Sequence, residues 1–60
     1  MKKYYGWNLQ EERTMVATVT GQMSDGTFVY TECDGNGEII NIDNQYRRTL
    51  KYGQQMFILL

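Results

Sequence analysis

The chain has very little of the chemistry that most catalytic and metal sites require. Histidine is absent from all 60 residues, which excludes histidine-based zinc sites and histidine-dependent catalytic triads. Cys33 is the single cysteine, so neither an internal disulfide framework nor a cysteine metal cluster can form. We therefore expect a protein that is not an enzyme, with no cofactor, no metal and no catalytic residue. Cys33 itself is expected to be a small buried apolar group.

Long apolar runs and targeting patterns are missing as well. No stretch approaches the ~20 apolar residues that a membrane helix needs, and the N-terminus shows no signal-peptide pattern. We expect no membrane partner and a reducing, cytoplasmic location. The length predicts one small domain over residues 1–60, which would bury only about 60% of the surface that its unfolded chain exposes.

Charge is nearly balanced along the chain. Six lysines and arginines and seven aspartates and glutamates give a formal net charge of −1. Dedicated nucleic-acid binders usually carry a basic surplus, so a nucleic-acid role here would rest on a local basic patch and would be salt-dependent. Taken alone, the charge favours a protein partner.

Several segments of the chain show the alternation and residue types that are typical of β-strands. From Arg13 the residues alternate with period two, and Ser24-Asp25-Gly26 is turn chemistry. Residues 27–31 are rich in β-branched and aromatic types, Asp34-Gly35-Asn36-Gly37 is a second turn, and residues 38–42 and 54–60 read as further strands. The alternation puts Met15, Ala17 and Val19 on one face of their strand. It places Val29, Thr31 and Cys33 inward, and likewise Ile40 and Ile42. If Met56, Ile58 and Leu60 face the core, Phe57 and Leu59 face outward.

Two segments are less regular. Residues 44–50 are predicted to form one or two helical turns that carry Arg47 and Arg48, with Lys51 directly after them. Residues 1–12 are predicted to be a tail or a partial first strand, in which Asn8 caps a short turn running to Glu12. This order predicts an all-β fold, a small OB/S1-like barrel of four or five short antiparallel strands. An SH3-like barrel is the alternative, because strand count alone does not separate the two.

Four segments carry a resemblance to a known family: residues 15–19, 25–29, 37–43 and 52–58. In order and spacing they resemble the strands of S1-like OB-fold domains, such as that of translation initiation factor 1. Asp25 replaces one of the family's two stacking aromatics, and Gln54 replaces the acid that follows the last-strand glycine. No fifth strand follows residue 60, so residues 4–7 or a partner chain would have to close the barrel.

The resemblance implies a non-enzymatic binding module for single-stranded RNA. Phe28 matches the family's stacking aromatic, and Tyr30 is predicted to lie beside it on the outer face. Asn41 occupies the position of an outward histidine and would donate or accept hydrogen bonds. Arg47, Arg48 and Lys51 would meet phosphates. Bases stacked on aromatic side chains contribute roughly 1–3 kcal/mol each. The alternative is that Phe28 and Tyr30 pack beneath a neighbouring segment.

A second function is open: a small adaptor or inhibitor that docks on a larger protein complex without binding nucleic acid. The last strand is apolar on both faces, and the alternation predicts that Phe57 and Leu59 face outward. Such a pair on an edge strand invites strand addition by another chain, so an edge-strand homodimer is predicted beside a monomer. In the monomer, the aromatic N-terminal residues would cover the pair.

Residues 32–43 also resemble a twelve-residue EF-hand calcium loop, with acidic or amide side chains at alternate positions and Gly37 at the bend. Glu32 and Asp43 depart from the usual first and last ligands, and the preceding residues are poor helix formers. A hairpin tip explains the same glycines.

Overall fold

The computed structural model describes residues 2–60, and these residues fold as five β-strands without a helix. The strands are β1 (Tyr4–Asn8), β2 (Arg13–Gln22), β3 (Phe28–Cys33), β4 (Ile39–Lys51) and β5 (Gln54–Leu59). In the described range no helix is long and apolar enough to cross a membrane. The strand-forming segments predicted from period-two alternation are therefore present.

The strands close into a barrel in chain order, β1-β2-β3-β4-β5. Consecutive strands are antiparallel, and β1 closes the barrel by running parallel to β5, with Trp7 opposite Met56 and Asn8 opposite Phe57. The predicted fold, a small all-β barrel of the OB/SH3-like kind, is confirmed. The N-terminal segment supplies the fifth strand.

The turns follow from local hydrogen bonding by short polar side chains. Asp25 Oδ1 accepts from the Thr27 amide at 2.9 Å, and Asp34 Oδ1 accepts from the Glu38 amide at 2.9 Å. Asn8 Oδ1 accepts from the Glu11 amide at 2.9 Å, which is the predicted cap. These three turns confirm the turn chemistry expected from the sequence.

The barrel interior is filled by aromatic side chains. Tyr30, Tyr46 and Phe57 are buried together with Met15 and Ala17. Tyr30 and Phe57 meet edge to face with their ring centroids 5.6 Å apart, and Tyr46 and Phe57 do so at 6.3 Å. Edge-to-face aromatic pairs contribute about 0.5–1.5 kcal/mol beyond their buried area. Three aromatic rings therefore occupy most of the barrel interior, which has room for only a few side chains.

The predicted directions of four strand side chains are wrong. Tyr30 and Phe57 were expected on the outside, yet they are 8% and 0% exposed. Ile40 and Ile42 were expected inside, yet they are 59% and 74% exposed. The pairing of β4 with β3 shifts between residues 41 and 45, and this bulge changes which side chains face the core.

The helical turns predicted for residues 44–50 are also wrong. This segment is extended and belongs to β4, and every residue from Tyr46 to Lys51 pairs with a residue of β5. Pairing with β5 satisfies backbone groups that a helix would satisfy internally. Arg47, Arg48 and Lys51 therefore lie on a strand, where neighbouring positions point to opposite faces.

Candidate functional site

The six residues predicted to bind RNA do not form one surface. Phe28 is exposed at the start of β3, and Arg47 and Lys51 are exposed on β4. Tyr30 is buried in the core, where its ring also packs edge to face on Tyr4 with centroids 5.4 Å apart. A ring held in this way has no free face for a base, so Tyr30 is removed from the predicted platform.

Arg47 and Arg48 are separated by the pleat of β4. Arg47 pairs with Ile58, whereas Arg48 pairs with the fully buried Phe57. Directly opposite residues share a face of the sheet, so Arg48 points to the inner side at one end of the barrel and Arg47 to the outer side. The Arg48 guanidinium lies 4.8 Å from the centroid of the Tyr4 ring.

Phe28 and Arg48 are brought to the same end of the barrel. Tyr30 pairs with Tyr46, and this antiparallel register, extended by two residues, sets Phe28 opposite Arg48. Asn41 lies elsewhere, opposite Glu32, and its Oδ1 accepts from the Asp43 amide at 3.0 Å. Only part of the predicted RNA-binding set therefore converges.

The predicted protein interface of Phe57 and Leu59 is split as well. Phe57 is in the core, and β5 pairs with β4 on one side and with β1 on the other. At Met56 and Phe57 both sides of β5 are therefore paired within the chain. Leu59 is exposed and lines a shallow depression with Leu60 and Ile42, so an exposed apolar patch remains at this position.

A groove of about 630 Å³ lies on the outer face of β1 and β2. Its walls are the side chains of Tyr5 and Trp7 and of Thr14 and Val16, which lie opposite them in register. The β4–β5 turn and the start of β5 form its rim through Gly53, Gln54 and Gln55. No residue that lines the groove is charged.

The sequence did not predict this groove, because residues 1–12 were expected to be a tail or a partial first strand whose aromatic side chains cover Phe57 and Leu59. The available signal was the pair of aromatic residues at positions 5 and 7, which share one face of any strand. Gly6 between them lets β1 approach β5 closely, since a Cβ there would lie 3.0 Å from the Gln55 carbonyl oxygen. Tyr5 and Trp7 therefore lie on a strand, β1, that packs closely against β5.

The rim of the groove carries a backbone outlier. Tyr52 and Gly53 form the two-residue turn between β4 and β5, and both have positive φ, 52° and 73°. Turns of this type favour Asn-Gly, because a side chain such as tyrosine is strained in the left-handed region. Tyr52 is nevertheless 91% exposed, and the Lys51 ammonium lies 5.5 Å from its ring centroid.

A polar network lies on the β1–β2 turn and the adjoining ends of the strands. The Arg13 guanidinium donates to both carboxylate oxygens of Glu32 at 2.9 Å and forms a second ion pair with Glu11. These hydrogen bonds, first to Glu32 and then to Glu11, raise the pKa of Arg13 above its ordinary value. The network ties β2 to β3, and its acids are occupied by an arginine of the same chain.

Cys33 and the acidic hairpin show no arrangement for catalysis or metal binding. Burial, followed by the nearby Asp34 charge, raises the pKa of the Cys33 thiol, which opposes formation of a thiolate nucleophile. Residues 2–60 contain no cluster of three or more potential side-chain ligands from cysteine, aspartate or glutamate. Asp34 Oδ1 is engaged by the Asn36 and Glu38 amides in the turn.

Comparison with known proteins found no relative of this chain. No protein-family profile matches the chain, and neither the curated proteins nor the solved structures gave a significant match.

Proposed function

We propose that this chain is a non-enzymatic protein-docking module, a small adaptor or inhibitor, and that its outer groove receives an extended segment of a partner protein. The groove between Tyr5, Trp7 and the β4–β5 turn is the observation that carries the proposal. We call this surface, lined by Tyr5, Trp7, Thr14, Val16 and residues 53–55, the aromatic groove.

The chemistry of the aromatic groove suits a peptide more than a charged ligand. Its lining combines aromatic rings, small apolar or hydroxyl side chains, backbone and the amides of Gln54 and Gln55. Aromatic residues are enriched in protein interfaces and charged residues are depleted from their centres. The glutamine amides can donate to and accept from the backbone of an extended segment.

Tyr52 supports the same role. Backbone strain that the surroundings maintain clusters at binding sites, and Tyr52, whose φ is positive and whose side chain is exposed, directly precedes the groove-lining Gly53. A structural turn would be better served by asparagine at this position. Tyr52 therefore acts in the proposal as a third aromatic contact for the bound segment.

Selection from a displayed library of random peptides tests the proposal. The immobilised protein should enrich peptides, and Tyr5→Ser should weaken their binding at least about tenfold, the loss typical of an interface hot spot. Phe28→Ser is the matched control, because Phe28 is an exposed aromatic outside the groove. The sole tryptophan, Trp7, lies in the groove and reports binding through its fluorescence.

Failure of the library to yield peptides that depend on Tyr5 would contradict the proposal. Equal losses in Tyr5→Ser and Phe28→Ser would also contradict it, because a general effect on folding or surface stickiness explains such a result. Circular dichroism of both variants separates loss of fold from loss of binding.

A second candidate is the S1-like role, binding of single-stranded RNA by a cytoplasmic module. The observation that favours it is the convergence of Phe28 and Arg48 at one end of the barrel, with Arg47 and Lys51 exposed on the same strand as Arg48. Few cations are involved, so binding would be weak and would fall steeply with salt. An amide-resolved NMR titration with a short single-stranded RNA at low salt tests it.

In that titration the shifts should cluster on Phe28 and residues 47–51, and the double variant Phe28→Ala/Arg48→Ala should remove them. Shifts that cluster on Tyr5 and Trp7 instead would assign any RNA contact to the aromatic groove. A silent titration would leave protein docking as the function of the barrel.

A further inference from the structure

Arg48 differs from Arg13 in one respect that bears on ligand binding. Arg13 has two carboxylate partners, Glu11 and Glu32. Within residues 2–60, Arg48 has no carboxylate within 4.0 Å and no hydrogen bond from its guanidinium. Its Nε is buried and lacks a partner. Most buried donors in proteins are paired, so an unpaired one calls for an explanation.

The surroundings of Arg48 are aromatic and positively charged. Its guanidinium lies over the Tyr4 ring at 4.8 Å, and the Lys2 ammonium lies 5.5 Å from the same ring centroid. Tyr4 is itself held edge to face against Tyr30 at 5.4 Å. Two cations thus lie within 5.5 Å of the centroid of one fixed ring.

The position of the guanidinium is set by the barrel. Arg48 faces inward because it pairs with Phe57, so its side chain lies along Tyr4 and does not extend freely into solvent. Stacking on an aromatic ring leaves the edge of the planar fork, with its Nη donors, available for hydrogen bonds. A fixed guanidinium edge matches the geometry of a carboxylate or phosphate, both of which it can bind through two parallel hydrogen bonds.

We propose that the Arg48 end of the barrel is an oxyanion-binding site, in which Arg48 contributes the guanidinium edge and Lys2 adds positive potential. The ligand is a carboxylate or a phosphate group. This site lies apart from the aromatic groove, since Tyr4 and Tyr5 are adjacent on β1 and point to opposite faces. The proposal of an oxyanion site is therefore independent of the proposed peptide-docking function.

Two-dimensional NMR of the arginine Nε–H signals tests the site directly. Inorganic phosphate and acetate are titrated separately at constant ionic strength, with sodium chloride as the reference salt. The Arg48 Nε–H signal should move and saturate in the millimolar range with at least one probe, while Arg47 and Arg13 move no more than they do in chloride. The probe that saturates identifies the source of the oxyanion.

Variants distinguish specific binding of the anion by Arg48 from a non-specific effect of the protein's positive charge. Arg48→Gln should lower the affinity for the effective probe about tenfold or more, as expected for loss of charge-assisted hydrogen bonds. Arg48→Lys keeps the charge and loses the fork, so it should lose most of the same affinity. Arg47→Gln is the matched control on the same strand and should bind like the unchanged protein.

Equal responses to phosphate, acetate and chloride would overturn the proposal, because screening alone explains them. Affinity that survives in Arg48→Lys or that falls equally in Arg47→Gln would also overturn it, because a diffuse positive potential is then sufficient. The backbone amide spectrum of each variant shows that it remains folded, and Arg48→Lys serves where Arg48→Gln does not fold.

Discussion

The side-chain amide of Asn8 donates a hydrogen bond to Tyr46 Oη at 3.1 Å, and both residues are almost completely buried. β1 and β4 are not neighbours in the barrel, because β5 lies between them. This bond therefore bridges strands that share no ladder. The same amide nitrogen lies 3.3 Å from Met15 Sδ, and Asn8 Oδ1 accepts from the Glu11 amide. One side chain thus links the core, the β1–β2 turn and the barrel closure.

Replacement of Asn8 by alanine should destabilise the protein by about 2–3 kcal/mol, since the turn loses its cap and buried polar groups lose their partner. Tyr46→Phe removes only the hydroxyl and should cost about 1 kcal/mol, because the amide keeps its other contacts. Urea unfolding followed by tryptophan fluorescence measures both values. A loss in Asn8→Ala no larger than that in Tyr46→Phe would contradict the central role of Asn8.

Gly6→Ala should destabilise the barrel by about 1–3 kcal/mol, because an added Cβ would lie 3.0 Å from both the Gln55 carbonyl oxygen and the buried Phe57 ring. Gly35→Ala is the matched control, since a Cβ at Gly35 meets no atom within 4 Å. Thermal and urea unfolding should show a clear loss for Gly6→Ala and little change for Gly35→Ala. Similar behaviour of the two variants would show that β1 and β5 do not approach as closely as described.

Tyr52→Asn should stabilise the isolated protein by about 0.5–1 kcal/mol, because asparagine tolerates the positive φ of 52° better than tyrosine does. The same change should weaken the binding of peptides selected on the aromatic groove. Leu50→Asn, on the preceding strand, is the control that should give no gain in stability. The urea midpoint and the peptide affinity together test whether strain is retained for binding; a gain in both quantities would contradict that role.

Burial, with a smaller contribution from Asp34, raises the pKa of Cys33 in the folded protein. The pKa of a cysteine in an unfolded chain is about 8.5. The folded state therefore holds its proton more tightly than the unfolded chain does. This contribution to stability is complete below about pH 8.5 and is lost as the pH rises through the raised folded pKa.

The free energy of unfolding should accordingly fall with pH above about pH 8.5, and Cys33→Ala should flatten that part of the profile. A thiol reagent should also react slowly with the folded protein and rapidly after urea unfolding. Rapid reaction in the absence of urea would contradict the burial of Cys33.

The general form of the candidate sites was only partly predictable. Phe28 and Arg48 were identified from residue type and order, and the β3–β4 register extended by two residues sets them at the same end of the barrel. Tyr5 and Trp7 were expected to cover the last strand, and no groove was predicted from them because a short N-terminal segment has only a weak strand signal; it becomes a strand by pairing with β2 on one side and β5 on the other.

Local patterning determined β2, β3, β5, the start of β4, the turns and the class of small all-β barrel, because these depend on period-two alternation and on short polar or glycine residues at fixed positions. Only the tertiary structure decided which face of each strand is inside. Residues 28–33 and 54–60 carry apolar side chains on both faces, so alternation cannot choose between them. Closure of the barrel chose Tyr30 and Phe57, whose rings fill its narrow interior with Tyr46, and the bulge in β4 left Ile40 and Ile42 in solvent.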